Sequence, residues 1–125
     1  MLGTFRNTSI CEDVRDEVGN KKSLMGVFSG DLIVTEFPAR LRVAFYAEYI
    51  PKDGTGEHEL GISLSLGDVQ AATTKIIVSS PPGQVAVLIL PQGIAEFDAP
   101  GELVLRASCE GETAELLRKA IRLHD

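Results

Sequence analysis

The chain has 125 residues, 44% of them hydrophobic and 24% charged, and a formal net charge of −6; this is the composition of a folded globular domain with one core, and it excludes a disordered or fibrous chain. Residues 51–112 carry nine acidic and three basic side chains, and no basic stripe able to displace counterions is present, so nucleic acid is not an expected partner. The longest apolar run, Val85 to Leu90 (VAVLIL), has six residues against the ~20 of a bilayer-crossing helix, and the opening MLGTFRNTSI lacks the basic start, apolar stretch and cleavage site of an export signal, so no membrane association is expected and the cytoplasm is the expected location.

The first elements are two apolar-leaning runs, Ser9 to Val14 and Ser23 to Phe28, with Gly19-Asn20 between them. That pair suits the positive backbone dihedrals of a reversal, which predicts a hairpin. Glu12, Asp13, Asp16 and Glu17 stand beside Arg15, Lys21 and Lys22 in the same stretch, a set that opposite-charge pairing across two strands can satisfy.

Leu41 to Tyr49 alternates Leu41, Val43, Phe45, Ala47 and Tyr49 against Arg42, Ala44, Tyr46 and Glu48, the period of two that marks a half-buried strand. Pro51 to Glu59 (PKDGTGEHE) reads as a polar surface connection joining two strands as a long hairpin. Leu60 to Leu66 then repeats the alternation with Leu60, Ile62, Leu64 and Leu66 on one side. Thr73 to Ser79, Val85 to Leu90 and Leu103 to Ser108 continue it, bounded by Pro81-Pro82-Gly83, Pro91-Gln92-Gly93 and Pro100-Gly101. The tail from Glu112 fits either a helix capped by Thr113 or a strand with Leu117, Ile121 and Leu123 on one face. Glu110-Gly111-Glu112 is a natural hairpin turn, which favours the strand.

Short strands at this spacing, with turn chemistry between them, predict an all-β fold: an immunoglobulin-like antiparallel β-sandwich of about seven to eight strands, forming one domain over residues 1–125.

Reaction chemistry finds few residues to use. Cys11 and Cys109 lie in strand-like surroundings far apart in the chain and are expected as reduced, buried thiols, with no neighbouring ligands for structural zinc. His58, flanked by Glu57 and Glu59 and near Asp53, is the one histidine amid several carboxylates, but neighbours in an extended segment point to opposite faces, so a solvated hairpin tip is expected. KDGTGEHE does not have the ligand spacing of a calcium loop. The other histidine is His124, and no Gly-x-Ser-x-Gly elbow or phosphate-binding glycine loop occurs. No catalytic residue, cofactor or metal ligand is therefore assigned.

The run CEDVRDEVGNKKSLMGVFSGDLIV resembles the opening signature of an uncharacterised family of small bacterial and phage proteins. Cys11, Asp13, Val14, Arg15, Glu17, Gly19, Lys22, Ser23, Gly26, Val27 and Phe28 carry the match in order. Asn20, inserted ahead of the paired lysines, departs from the pattern. The resemblance implies a β-sandwich and brings no catalytic residue with it. If the signature holds an interaction surface, Asp13, Arg15, Glu17 and Lys22 are its candidates. The favoured structural reading is that Arg15 bridges carboxylates and pins the first hairpin.

The leading functional expectation is a non-catalytic module that contacts a protein partner or associates with itself, since sandwiches offer loops and edge strands as contact surfaces. The alternative is a small-molecule or carbohydrate-binding or hydrolysing barrel, with Tyr46, Tyr49 and Glu48 lining its pocket. A virion or tail component is a third reading, suggested only by the settings of the resembling family.

Overall fold

The twofold alternation of side chains is carried through into the backbone almost without interruption. The computed structural model describes residues 2–19, 21–54, 56–90 and 93–124, with Val69 and Ala71 as backbone alone. Among these residues there are ten strands: β1 (Thr4–Glu17), β2 (Lys21–Val27), β3 (Leu32–Val34), β4 (Ala39–Ile50), β5 (Glu57–Leu66), β6 (Val69–Ser79), β7 (Ala86–Ile89), β8 (Gly93–Phe97), β9 (Gly101–Cys109) and β10 (Glu112–Leu123). The described residues contain no helix long and apolar enough to cross a membrane.

The strands form two sheets. One has the order β2-β1-β4-β7, with β8 also paired to β4; the other runs β3-β10-β9-β5-β6. β7 and β8 follow one another along β4, which pairs Tyr46 with Ile89 and Val43 with Gly93. β3 lies parallel to β10, while the other pairings are antiparallel.

The two sheets share one core. Phe45, Ala47 and Tyr49 of β4 meet Leu60 and Ile62 of β5, Leu103 and Leu105 of β9 and Ile121 of β10 in the same buried cluster. Fully burying one such aliphatic or aromatic side chain contributes about 1.5–3 kcal/mol, which is why the alternation in β4 and β5 dictates which face turns inward. Cys11, Val14 and Ala44 form a second, smaller cluster, with Leu24, Tyr46 and Ile89 against it.

All-β architecture in two packed sheets agrees with the sequence reading, but the expected seven to eight strands become ten. β3 and β8 account for the difference. β3 has three residues, too few to show a period by itself, and β8 is a five-residue continuation of β7 along β4 that buries only Phe97.

The tail is the strand β10, antiparallel to β9. Glu110 and Gly111 between them have φ of 51° and 84°, the two positive dihedrals of the tight turn that matches the twist of a hairpin. Gly19 has φ 87° at the first hairpin, as the reversal requires; Asn20 lies outside the described residues.

Candidate interaction surface

The signature residues lie on the β1–β2 ribbon. Asp13, Arg15 and Glu17 alternate onto one face of β1, whereas Lys22 stands opposite Asp16 on the other. Arg15 donates from Nε to Asp13 Oδ2 at 3.1 Å, Ser23 donates to Glu17 Oε1 at 3.0 Å, and Lys22 pairs with Asp16. Arg15, Asp16 and Glu17 are exposed. The four candidates thus split between two faces of a charge-paired ribbon, and exposed pairs of this kind contribute about 0–1 kcal/mol each.

His58 departs from the sequence expectation. It is not a solvated tip but a buried residue of β5, 8% exposed, because the strand begins at Glu57 and its alternation places His58 beside Leu60 and Ile62 on the inner face. Its ring stands edge-on to Tyr49 with centroids 6.4 Å apart, and Nε2 has no hydrogen-bond partner among the described residues. Gly54 packs against it; a Cβ there would come within 2.9 Å of the imidazole Cε1. A depression of about 450 Å³ near this end is lined by Glu59, Lys75, Ser108, Cys109 and Glu110 as well as His58. Among the described residues no group of three His, Cys, Asp or Glu side chains is placed to hold a metal ion.

Both cysteines are buried and unpaired. Burial pushes both thiols above their ordinary range, the direction opposite to that of an activated nucleophile.

The small-molecule alternative relied on Tyr46, Glu48 and Tyr49. Tyr46 and Glu48 share one face of β4, while Tyr49 is fully buried on the other. Glu48 receives Arg6 Nε at 2.7 Å, Asn7 Nδ2 at 3.0 Å and the Tyr46 hydroxyl at 2.8 Å. These hydrogen bonds, Arg6 first, hold its carboxyl below the usual carboxylate range. Its oxygens are committed to the fold.

The remaining feature is one lateral side of the sandwich, which sequence reasoning missed. β6 ends one sheet and β7 ends the other, and a groove of about 570 Å³ runs between them, lined by residues 74–79 and 86–89. At Thr74 it meets a second groove of about 320 Å³, floored by Phe45, Ile62, Leu64, Leu90 and Leu105. From Val69 to Ala95 the sequence has no Asp or Glu and one basic residue, Lys75. The most acid-poor stretch of an acidic chain therefore forms the side where both sheets end. That signal was present in the sequence, but only the strand order shows that it belongs to an edge.

No protein-family model matches the chain, and no curated protein matches its sequence.

Proposed function

We propose that the protein is a non-catalytic interaction module: an immunoglobulin-like β-sandwich that acts in the cytoplasm by contact with another protein, self-association being the simplest form. Strand order supports the immunoglobulin-like part. β1, β4 and the β7–β8 pair follow the A-B-E succession of that fold, and β5, β9 and β10 the C-F-G succession in the opposite sheet. Kinship with the bacterial and phage family that the opening resembles belongs to the same proposal.

The observation that carries the interaction reading is the side bounded by β6 and β7. It joins a mixed groove between β6 and β7 to an apolar one floored by Phe45, Ile62, Leu64, Leu90 and Leu105, beside two strand edges and a stretch without acidic residues. Sheet edges present unpaired backbone donors and acceptors, which another chain can satisfy.

Recovery of the protein from its native host, with solution mass measured alongside, tests the reading. The expected result is a mass above that of the 13.4 kDa chain, from a second copy or a bound companion. A monomer at every concentration, recovered without companions, would contradict it.

A further inference from the structure

We propose that two copies of this chain pair through β6, antiparallel about a two-fold axis at Ile76, so that the two β6-bearing sheets become one. This rests on the interaction reading above and names its surface and its partner.

The sheet edges differ in how they are protected. Natural edge strands are kept from pairing by shortness, by lysine, by proline or by bulges. β3 has three residues, β7 four and β8 five; β2 begins with Lys21 and Lys22, and its Gly26 has φ 64°. β6 has eleven residues, contains no proline, and holds unbroken register with β5 from Ala72 to Ser79. Its register shift lies at its other end, where Leu64 gives way to Ser65 on β5. Its one charge, Lys75, is paired with Glu59 at 3.3 Å on β5. Ile77, a β-branched residue, is 67% exposed on its outer face. The longest edge is the least defended.

Charge selects a second copy as the occupant. Two chains of net charge −6 repel along most approaches. The side made by β6 and β7 lies in the stretch without Asp or Glu, so it is where like copies meet at least electrostatic cost.

The sequence of β6 is also self-complementary about Ile76. An antiparallel two-fold there sets Lys75 opposite the partner's Ile77, Thr74 opposite the partner's Val78, and Thr73 opposite the partner's Ser79. The lysine stem covers the exposed isoleucine. Centring on Lys75 would instead set two lysines face to face, which disfavours pairing. On the inner side, Ile76 and Val78 of β6 and Ala86 and Leu88 of β7 line the groove that the second copy closes. Seven paired residues, Thr73 to Ser79, at about 3.4 Å each make a contact about 24 Å long. That is at the low end for specific interfaces, so the dimer is concentration-dependent rather than permanent.

Sedimentation equilibrium of the full chain, from micromolar to near-millimolar concentration, tests the proposal. The wild type is expected to pass from 13.4 kDa to twice that mass. Ile77→Lys, which places a lysine opposite the partner's Lys75, is expected to weaken association by roughly tenfold or more. Adding Lys75→Glu to that variant restores an opposite-charge pair across the axis and is expected to recover the dimer. Val18→Lys, on the remote β1–β2 ribbon where Val18 is 93% exposed, should leave the mass unchanged, and near-UV dichroism should show each variant folded. A dimer indifferent to Ile77→Lys would overturn the β6 surface while leaving self-association standing. A wild type that stays monomeric would overturn the dimer outright. In that case, whether a companion is recovered from the native host decides separately on the interaction reading.

Discussion

Tyr49 joins three parts of the chain through one side chain. Its ring lies 4.7 Å from that of Phe5 and stands edge-on to His58, and its hydroxyl accepts the Gly3 N–H at 2.8 Å. Burial pushes its phenol above the ordinary value of 10.0, and pushes the Cys11 and Cys109 thiols above 9.0. Groups whose proton is held more tightly when folded leave the folded state with more bound protons in alkaline solution, so stability is full below the ordinary values and declines as pH rises through them. Thermal melting from pH 8 upwards should therefore show a loss beginning near pH 9. Tyr49→Phe should flatten the part of that slope above pH 10, at a cost of about 1 kcal/mol at neutral pH from the Gly3 N–H it leaves unmatched. An unchanged slope would show that the phenol does not contribute. At this scale the sequence identified buried cysteines but misplaced His58, because Glu57 and Glu59 made a strand look like a loop. The inner face of β5 begins two residues earlier than composition suggests.

Among the elements, the β9–β10 hairpin was legible in part: Glu110-Gly111 marked the turn, while the segment after it fitted a helix or a strand, and pairing with β9 makes it the strand. The turn requires positive φ at each position, which glycine and asparagine adopt more readily than glutamate or alanine. Gly111→Ala is expected to lower unfolding stability by about 1 kcal/mol, and Glu110→Asn to raise it by about 0.5 kcal/mol. Denaturant titration checks both; a stabilising alanine at position 111 would contradict the turn geometry. β3 and β8 were illegible for a different reason. Leu32 and Val34 are buried on either side of the exposed Ile33, yet three residues do not establish a period. What makes β3 a strand is its parallel alignment with β10, some 90 positions further along.

On the scale of the molecule, local pattern determined which faces turn inward, while long-range pairing determined which strands end the sheets. Sequence alone could therefore reach two-layer β architecture, but it could not find the open side. It directed attention instead to the conspicuous charges of Asp13, Arg15, Glu17 and Lys22, which the fold distributes over an exposed ribbon with paired side chains. The acid-free stretch was the quieter signal, and it became a surface only when β6 and β7 were seen to end opposite sheets. The account's central proposal, contact between copies through β6, predicts a local and concentration-dependent effect on backbone exchange. Amide hydrogen exchange measured by mass spectrometry at low and high protein concentration tests this most directly: residues 72–79 should exchange markedly more slowly at high concentration, with β2 and β3 unchanged. Equal exchange in β6 at both concentrations, or slowing confined to β2 or β3, would contradict it.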